Sequence, residues 1–180
     1  MKILASKDTG FTLIELIIGI TLLAILAIIA TPKYFSIKTE AKVSSLEEVA
    51  AAMKSGLQLV YSQSVIEDRE IGGNIIAIEG IQVPLYFGAP SVRGRDSFLK
   101  INQQVKAWLT IDSVDRNTAR RNRYSAPFFT DKSTKNNQIF IFFTSDYDKR
   151  GVRFKCQIRY ENPESSSPTG PTITIETDDC

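Results

Sequence analysis

Few residues in this chain are placed to do chemistry, and the most conspicuous is an acid. Glu15 lies near the start of a run, residues 11–30, that only it, Thr12 and Thr21 interrupt with anything but apolar or small side chains. A carboxylate at the centre of a bilayer costs roughly 2.5 to 3.5 kcal/mol on insertion scales, and less near an end. Glu15 therefore needs a reason. The chain has no histidine, so Ser-His-Asp and Cys-His nucleophile pairs and His-based zinc sites are excluded. No catalytic residue, cofactor or metal is expected. The only cysteines, Cys156 and Cys180, cannot complete a four-ligand metal site. A single disulfide in an oxidising compartment is their simplest use. Asp146 and Asp148 in "DYDKRG" are spaced like the start of a calcium loop. Arg150 stands where a third oxygen is wanted and Gln157 replaces the closing acid, so a hairpin turn is the better reading. Arg116, Arg120, Arg121 and Arg123 form a cationic cluster in "DRNTARRNRY", but the net charge is only +2. A solvated face or a contact between subunits is expected there rather than a DNA-binding surface.

The element that carries Glu15 is a helix. Twenty residues of helix reach ~30 Å, about the hydrocarbon thickness of a bilayer, so the run is a membrane span or a signal sequence. Lys2 and Lys7 give the basic start of a secretory signal. The run is too long for its apolar core, and a cut guided by Ile28 and Ala30 would leave Pro32 two residues beyond it. An uncleaved anchor leaves Glu15 without an explanation. Lys33, Lys38 and Lys42 follow the run, so flanking charge does not decide topology. The cysteines do better, placing the C-terminal part outside the cytosol.

The stretch "GFTLIELIIGITLLAILAIIATPKY" resembles the N-terminus of type IV pilins. The resemblance implies a cut by a prepilin peptidase between Gly10 and Phe11, on the cytoplasmic side, and N-methylation of Phe11. Glu15 then becomes the fifth residue of the mature chain, where the family has its acid. Thr12 and Pro32 also match family positions. The new amine on Phe11 and the acid at Glu15 are four residues apart, on one helical face, and an acid in a first turn is favoured by the helix dipole. In a single subunit the two can neutralise each other, whereas in a filament Glu15 of one subunit would meet the Phe11 amine of its neighbour. A charge in an apolar bundle is costly until paired, so it selects the register that pairs it.

Beyond Pro32 the helical pattern becomes amphipathic, with Leu46, Val49, Ala50, Met53, Leu57 and Val60 on one stripe. One helix is expected over residues 11–64, kinked near Pro32, with Gly19 a second weak point. Many pilins carry a helix-weakening glycine where this chain has Ala24. "EIGGNIIAIEG" reads as a turn and a strand, and "IQVPLYF" as a second strand placed at an edge by Pro84. "RDSFLKINQQVKAWL" reads as a helix capped by Asp96 or Ser97. "NQIFIFF" and "VRFKCQIRY" read as a hairpin. In the latter, Val152, Phe154, Cys156, Ile158 and Tyr160 face one way and Arg153, Lys155, Gln157 and Arg159 the other. "ENPESSSPTGP" is an exposed loop before a last strand, "TITIETDDC".

The expected fold is α+β, the type IV pilin fold: a long N-terminal helix on a small antiparallel sheet. Residues 1–10 form a cytoplasmic leader, 11–64 the helix (11–31 membrane span and filament core, 32–64 amphipathic), and 65–180 a head closed by a Cys156–Cys180 bridge. The ending "KCQIRY", a Pro/Ser loop, a Thr-rich strand and a terminal Cys look most like pilins of the mannose-sensitive haemagglutinin (MSHA) type, and "YFGAPS" echoes a Gly-x-Pro element of that subgroup. The implied function is a structural subunit, not an enzyme. It starts as a single-pass inner-membrane precursor with its N-terminus cytoplasmic. It is then polymerised by the pilus assembly machinery into an extracellular homo-oligomeric filament for attachment and biofilm formation. The alternative is a type II secretion pseudopilin. The cysteine pair favours the pilin, since the main pseudopilins typically use calcium near their ends.

Overall fold

The apolar run and the amphipathic stripe share one unbroken helix, α1 (Leu13–Ile66), with Pro32 inside it. The computed structural model describes residues 10–151, 153–164 and 170–180. The leader expected over 1–10 thus lies almost wholly outside the described residues, as do Val152 and the centre of the Pro/Ser loop. The chain divides into two compact units, Met1–Ala41 and Lys42–Cys180. In the first, all described residues are exposed. Over residues 16–30 the helix is apolar or small on every side but for Thr21, a surface suited to an apolar surrounding.

The second unit begins with the amphipathic end of α1. Leu46, Ala50, Met53, Gly56, Val60 and Ser64 are buried, and Val49 and Leu57 pack against them. The expected stripe is therefore the buried face, and Gly56 and Ser64 extend it. Two sheets follow. The first has the order β1 (Gly73–Ile78), β2 (Ile81–Tyr86), β3 (Ala89–Pro90), all antiparallel. Two-residue turns join them, Glu79-Gly80 and Phe87-Gly88, with both residues of each at positive φ, as the twist of a tight hairpin requires. Pro84 is not on an edge strand, because β2 lies between β1 and β3. The Pro84 carbonyl accepts from the Ser91 amide at 2.8 Å. Its nitrogen points to the same side, just past the end of the two-residue β3, so the missing donor interrupts no β1–β2 bond.

The second sheet has the order β4 (Ser113–Asp115), β5 (Phe128–Ser133), β6 (Gln138–Phe143), β7 (Gln157–Glu161), β8 (Thr172–Glu176). Its β4–β5 pair is parallel and the rest antiparallel. Helix α2 (Phe98–Trp108) is capped by Ser97, whose side chain accepts from the Lys100 amide, while Asp96 accepts from the Arg93 amide. The short α3 (Arg116–Arg121) is capped by Asp115. Ile139, Ile141, Ile158 and Tyr160 join α1, α2 and the first sheet in the main core. On the other face, Phe129, Phe140 and Phe142 pack with Ala119 and Tyr147 in a second cluster.

This second covered face corrects two readings. Gln157 pairs with Phe142 and is buried rather than solvent-facing, with its amide donating to Glu176 at 2.7 Å. The expected hairpin turn is instead a 3-10 helix, Thr144–Lys149, which places Tyr147 in that cluster. Strand β7 accordingly begins at Gln157, not near residue 152. Asn162, expected in an exposed loop, is buried. The α+β arrangement of a long helix on antiparallel sheet holds, with two sheets in place of the one expected and a parallel β4–β5 pair at one edge.

Candidate functional site

Residues 10–12 carry no regular structure and are exposed. Exposed, irregular chain is where peptidases cut most readily, and the Gly10–Phe11 bond lies in it. Leu13 opens α1, which makes Thr12 the residue that must satisfy the first free amides. Its Oγ1 accepts the Glu15 amide at 3.3 Å. In return, the Glu15 carboxylate accepts the Thr12 amide at 3.0 Å and the Thr12 hydroxyl at 2.8 Å. This reciprocal pair is a capping box. The Thr-x-x-Glu spacing is itself a sequence signal for the cap, one that the charge argument alone does not use. Phe11 lies off the helix and is 87% exposed, so the structure brings Thr12 and Glu15 together and leaves Phe11 outside their contact.

The hydroxyls of Thr21, in the run, and of Thr31, just after it, are also satisfied locally. Thr21 donates to the Ile18 carbonyl at 2.9 Å and Thr31 to the Ala27 carbonyl at 2.7 Å. Such back-bonding makes polar side chains tolerable in lipid, where an unmet group costs several kcal/mol. Pro32 brings no amide, so the Ile28 carbonyl lacks its usual i+4 donor. By length and composition the helix is able to cross a membrane.

At the other end of the chain, Cys156 and Cys180 are bonded, S–S 2.07 Å and Cα–Cα 4.9 Å. Cys156 is fully buried in the main core. The Asp179 amide donates to the Lys155 carbonyl at 3.0 Å, and the Lys155 amide to the Asp179 carboxylate at 2.7 Å. The Lys155 ammonium donates to Asp178 at 2.8 Å, a bond that holds it above its usual pKa.

The remaining charged candidates are drawn into separate pairs. Asp146 meets Lys42 at 2.5 Å and Lys149 at 3.9 Å, while Asp148 meets Arg123 at 2.9 Å. The two acids of "DYDKRG" thus serve different partners. Of the four arginines, Arg116 pairs with Asp131 at 3.4 Å, and Arg120 and Arg121 are exposed. Burial raises the Asp131 carboxyl, against the lowering effect of the Lys132 amide and of Arg116 and Arg150.

Residues 5–31 match the model of the prokaryotic N-terminal methylation motif. The chain therefore carries a prepilin-like N-terminus. Gly10, Phe11, Thr12 and Glu15 all fall inside the matched segment and Pro32 falls one residue beyond it. Among curated proteins and solved structures, nothing matches the chain.

Proposed function

We propose that the chain is the structural subunit of a type IV pilus. The observation that carries this reading is the junction at residues 10–15. An exposed, irregular Gly10–Phe11 bond runs directly into a capped helix that is apolar on all sides. In this reading residues 1–10 are a leader removed by a prepilin peptidase, and Phe11 is then N-methylated. Residues 11–31 span the inner membrane and later pack in the filament core, 32–64 form the amphipathic half of the helix, and 65–180 form the displayed head. The Cys156–Cys180 bond favours a pilin over a pseudopilin, and the chain's ending favours the mannose-sensitive haemagglutinin type, with a role in attachment. The protein acts by polymerising, as partner to the peptidase, the methylase and the assembly machinery.

The test is expression of the full chain with a prepilin peptidase and assembly system, followed by intact-mass analysis and imaging of sheared filaments. The mature mass should lack residues 1–10 and carry one added methyl. Glu15→Gln should be cut normally and reach the membrane, yet yield few filaments. The amide oxygen of Gln still accepts from Thr12, so the cap survives and only the charge is lost. A retained Met1 on assembled protein, or full filament yield from the Gln variant, overturns the reading.

A further inference from the structure

The second aromatic cluster does not close over completely. Where β5, β6, the start of α3 and the segment after the 3-10 helix meet, there is a cavity of about 320 Å³. Its lining includes Phe140 and Phe142, Ser133, and the charged residues Arg116, Asp131, Lys132 and Arg150. Two of these cations, Arg116 and Arg150, approach the one carboxylate, Asp131, while the Lys132 ammonium turns to the Asp96 carbonyl. The register explains the gathering. Asp115 pairs with Thr130 across β4 and β5, so the next residues along, Arg116 just past the end of β4 and Asp131 within β5, meet.

Both guanidinium groups are held in place before any ligand arrives. Arg116 lies over the Phe98 ring at 4.8 Å and donates through Nη1 to Asp131 at 3.4 Å. Arg150 lies over the Tyr147 ring at 3.8 Å, donates through Nη1 to the Tyr147 carbonyl at 2.9 Å, and has Nε 4.0 Å from Asp131. Asp131 is the shared brace, only 13% exposed in its side chain. Each guanidinium carries five donors in a planar fork. After these bonds, Nε and Nη2 of Arg116 and Nη2 of Arg150 have no hydrogen-bond partner among the described residues.

We propose that this cavity binds a small oxyanion, a carboxylate, sulfate or phosphate group, between Arg116 and Arg150. The ring stacking and the Asp131 brace reduce the side-chain freedom lost on binding, which is where preorganised sites gain affinity. Planar forks suit the paired oxygens of such groups. The volume is at the lower end of the range for small-ligand pockets, roughly 300–1,000 Å³, which fits a single anionic group rather than a polyanion backbone. The site is independent of the proposed polymerisation.

The experiment titrates the detergent-solubilised full chain with sulfate, phosphate or acetate, replacing chloride at constant ionic strength so that screening is unchanged. Binding is read from the arginine side-chain N–H signals. At least one of the three anions should saturate with one site per chain. Arg150→Lys, which keeps the charge but loses the fork, should weaken it at least tenfold. Ser133→Glu, which sends a carboxylate into the cavity with both arginines intact, should do the same and serves as the second probe if the lysine variant does not fold. Arg121→Gln, on the exposed side of α3, should bind like the wild type. No saturation with any of the three anions overturns the proposal. So does equal weakening by Arg121→Gln, or wild-type binding by Ser133→Glu.

Discussion

Gly56 offers a case in which two physical effects oppose each other and the structure decides the sign. It is buried on α1 against the end of α2. A β-carbon there would lie 3.1 Å from Cε3 of Trp108 and 3.3 Å from its carbonyl carbon, and closer still to its carbonyl oxygen. Helix propensity alone favours Ala over Gly by about 1 kcal/mol. The obstacle, however, is backbone, and Trp108 has little room to yield. It is the last residue of α2, 7% exposed, with its ring 6.1 Å from that of Tyr160. Overpacking of this kind costs typically about 1–3 kcal/mol, and a backbone clash belongs at the upper end. Gly56→Ala should therefore lose about 1–2 kcal/mol net, the difference of those two terms. For a chain of this size that lowers the melting temperature by roughly 2–8 °C. Trp108 is the only tryptophan, so its fluorescence during urea unfolding of the solubilised protein reads this contact directly. Gly19→Ala, with nothing within 4 Å of the added carbon, is the control and should not lower the head's midpoint. A Gly56→Ala midpoint at or above that of the wild type would refute the reasoning.

Three further outcomes follow from the head. Cys180→Ser should cost about 3.5 kcal/mol in the chain-entropy account, given the separation of 24 residues; a urea midpoint equal to the wild type's would count against it. Asn162→Ala should lower stability by roughly 1–3 kcal/mol, because the Asn162 amide donates to the carbonyls of Tyr86, Ala89 and Pro90; unchanged unfolding would show that water replaces these bonds at no cost. Burial pushes the Tyr160 phenol well above its usual value of 10.0, so the folded state keeps a proton that the unfolded state loses. Stability should therefore fall as pH rises past about 10. Comparing Tyr160→Phe with the wild type across that range should show a shallower fall in the variant, and parallel curves would sink the assignment.

The long helix was legible because its signals are long: a twenty-residue apolar run and a stripe repeated over four turns. Strands β1, β2 and β6 were legible as apolar runs bounded by turns. Strand β5 was not, because "FFTDKS" hides its burial in polar residues. Thr130 is fully buried and donates to Asn102 at 3.2 Å, while Asn102 also takes the Ser113 hydroxyl at 2.9 Å. A hydroxyl satisfied inside the core looks like a surface hydroxyl in a sequence. Strands β3 and β4, of two and three residues, are too short for any period to register. Strict alternation places Gln157 toward solvent because it assumes one wet face, and nothing local shows that a second cluster covers it. Asn137 was silent for a similar reason. Its side chain accepts from the Val92 amide at 2.6 Å and donates to the Asn162 carbonyl at 2.7 Å, tying distant segments together. At the N-terminus the way Thr12 holds Glu15 was contained in the Thr-x-x-Glu spacing.

That hold changes what the charge on Glu15 requires. The capping box gives the carboxylate two donors from Thr12 and keeps it at the positive end of the helix dipole, but both donors are neutral. Hydrogen bonds and a dipole lower the cost of a carboxylate without removing its charge. While residue 10 is still attached, the nitrogen of Phe11 is a peptide amide and offers no counter-charge either. A cut at that bond would create a cation on Phe11, close in sequence to where the box fixes the acid. Because Thr12 already occupies the carboxylate and Phe11 stands off the helix, nothing in the cap obliges that cation to turn back onto its own Glu15. The acid would retain lone pairs for an amine from another copy, and the amine would be free to seek another acid. The cap and the charge pair are then complementary. In the proposed filament the first would position the carboxylate within a chain, and the second would leave each chain incomplete until a neighbour is placed beside it.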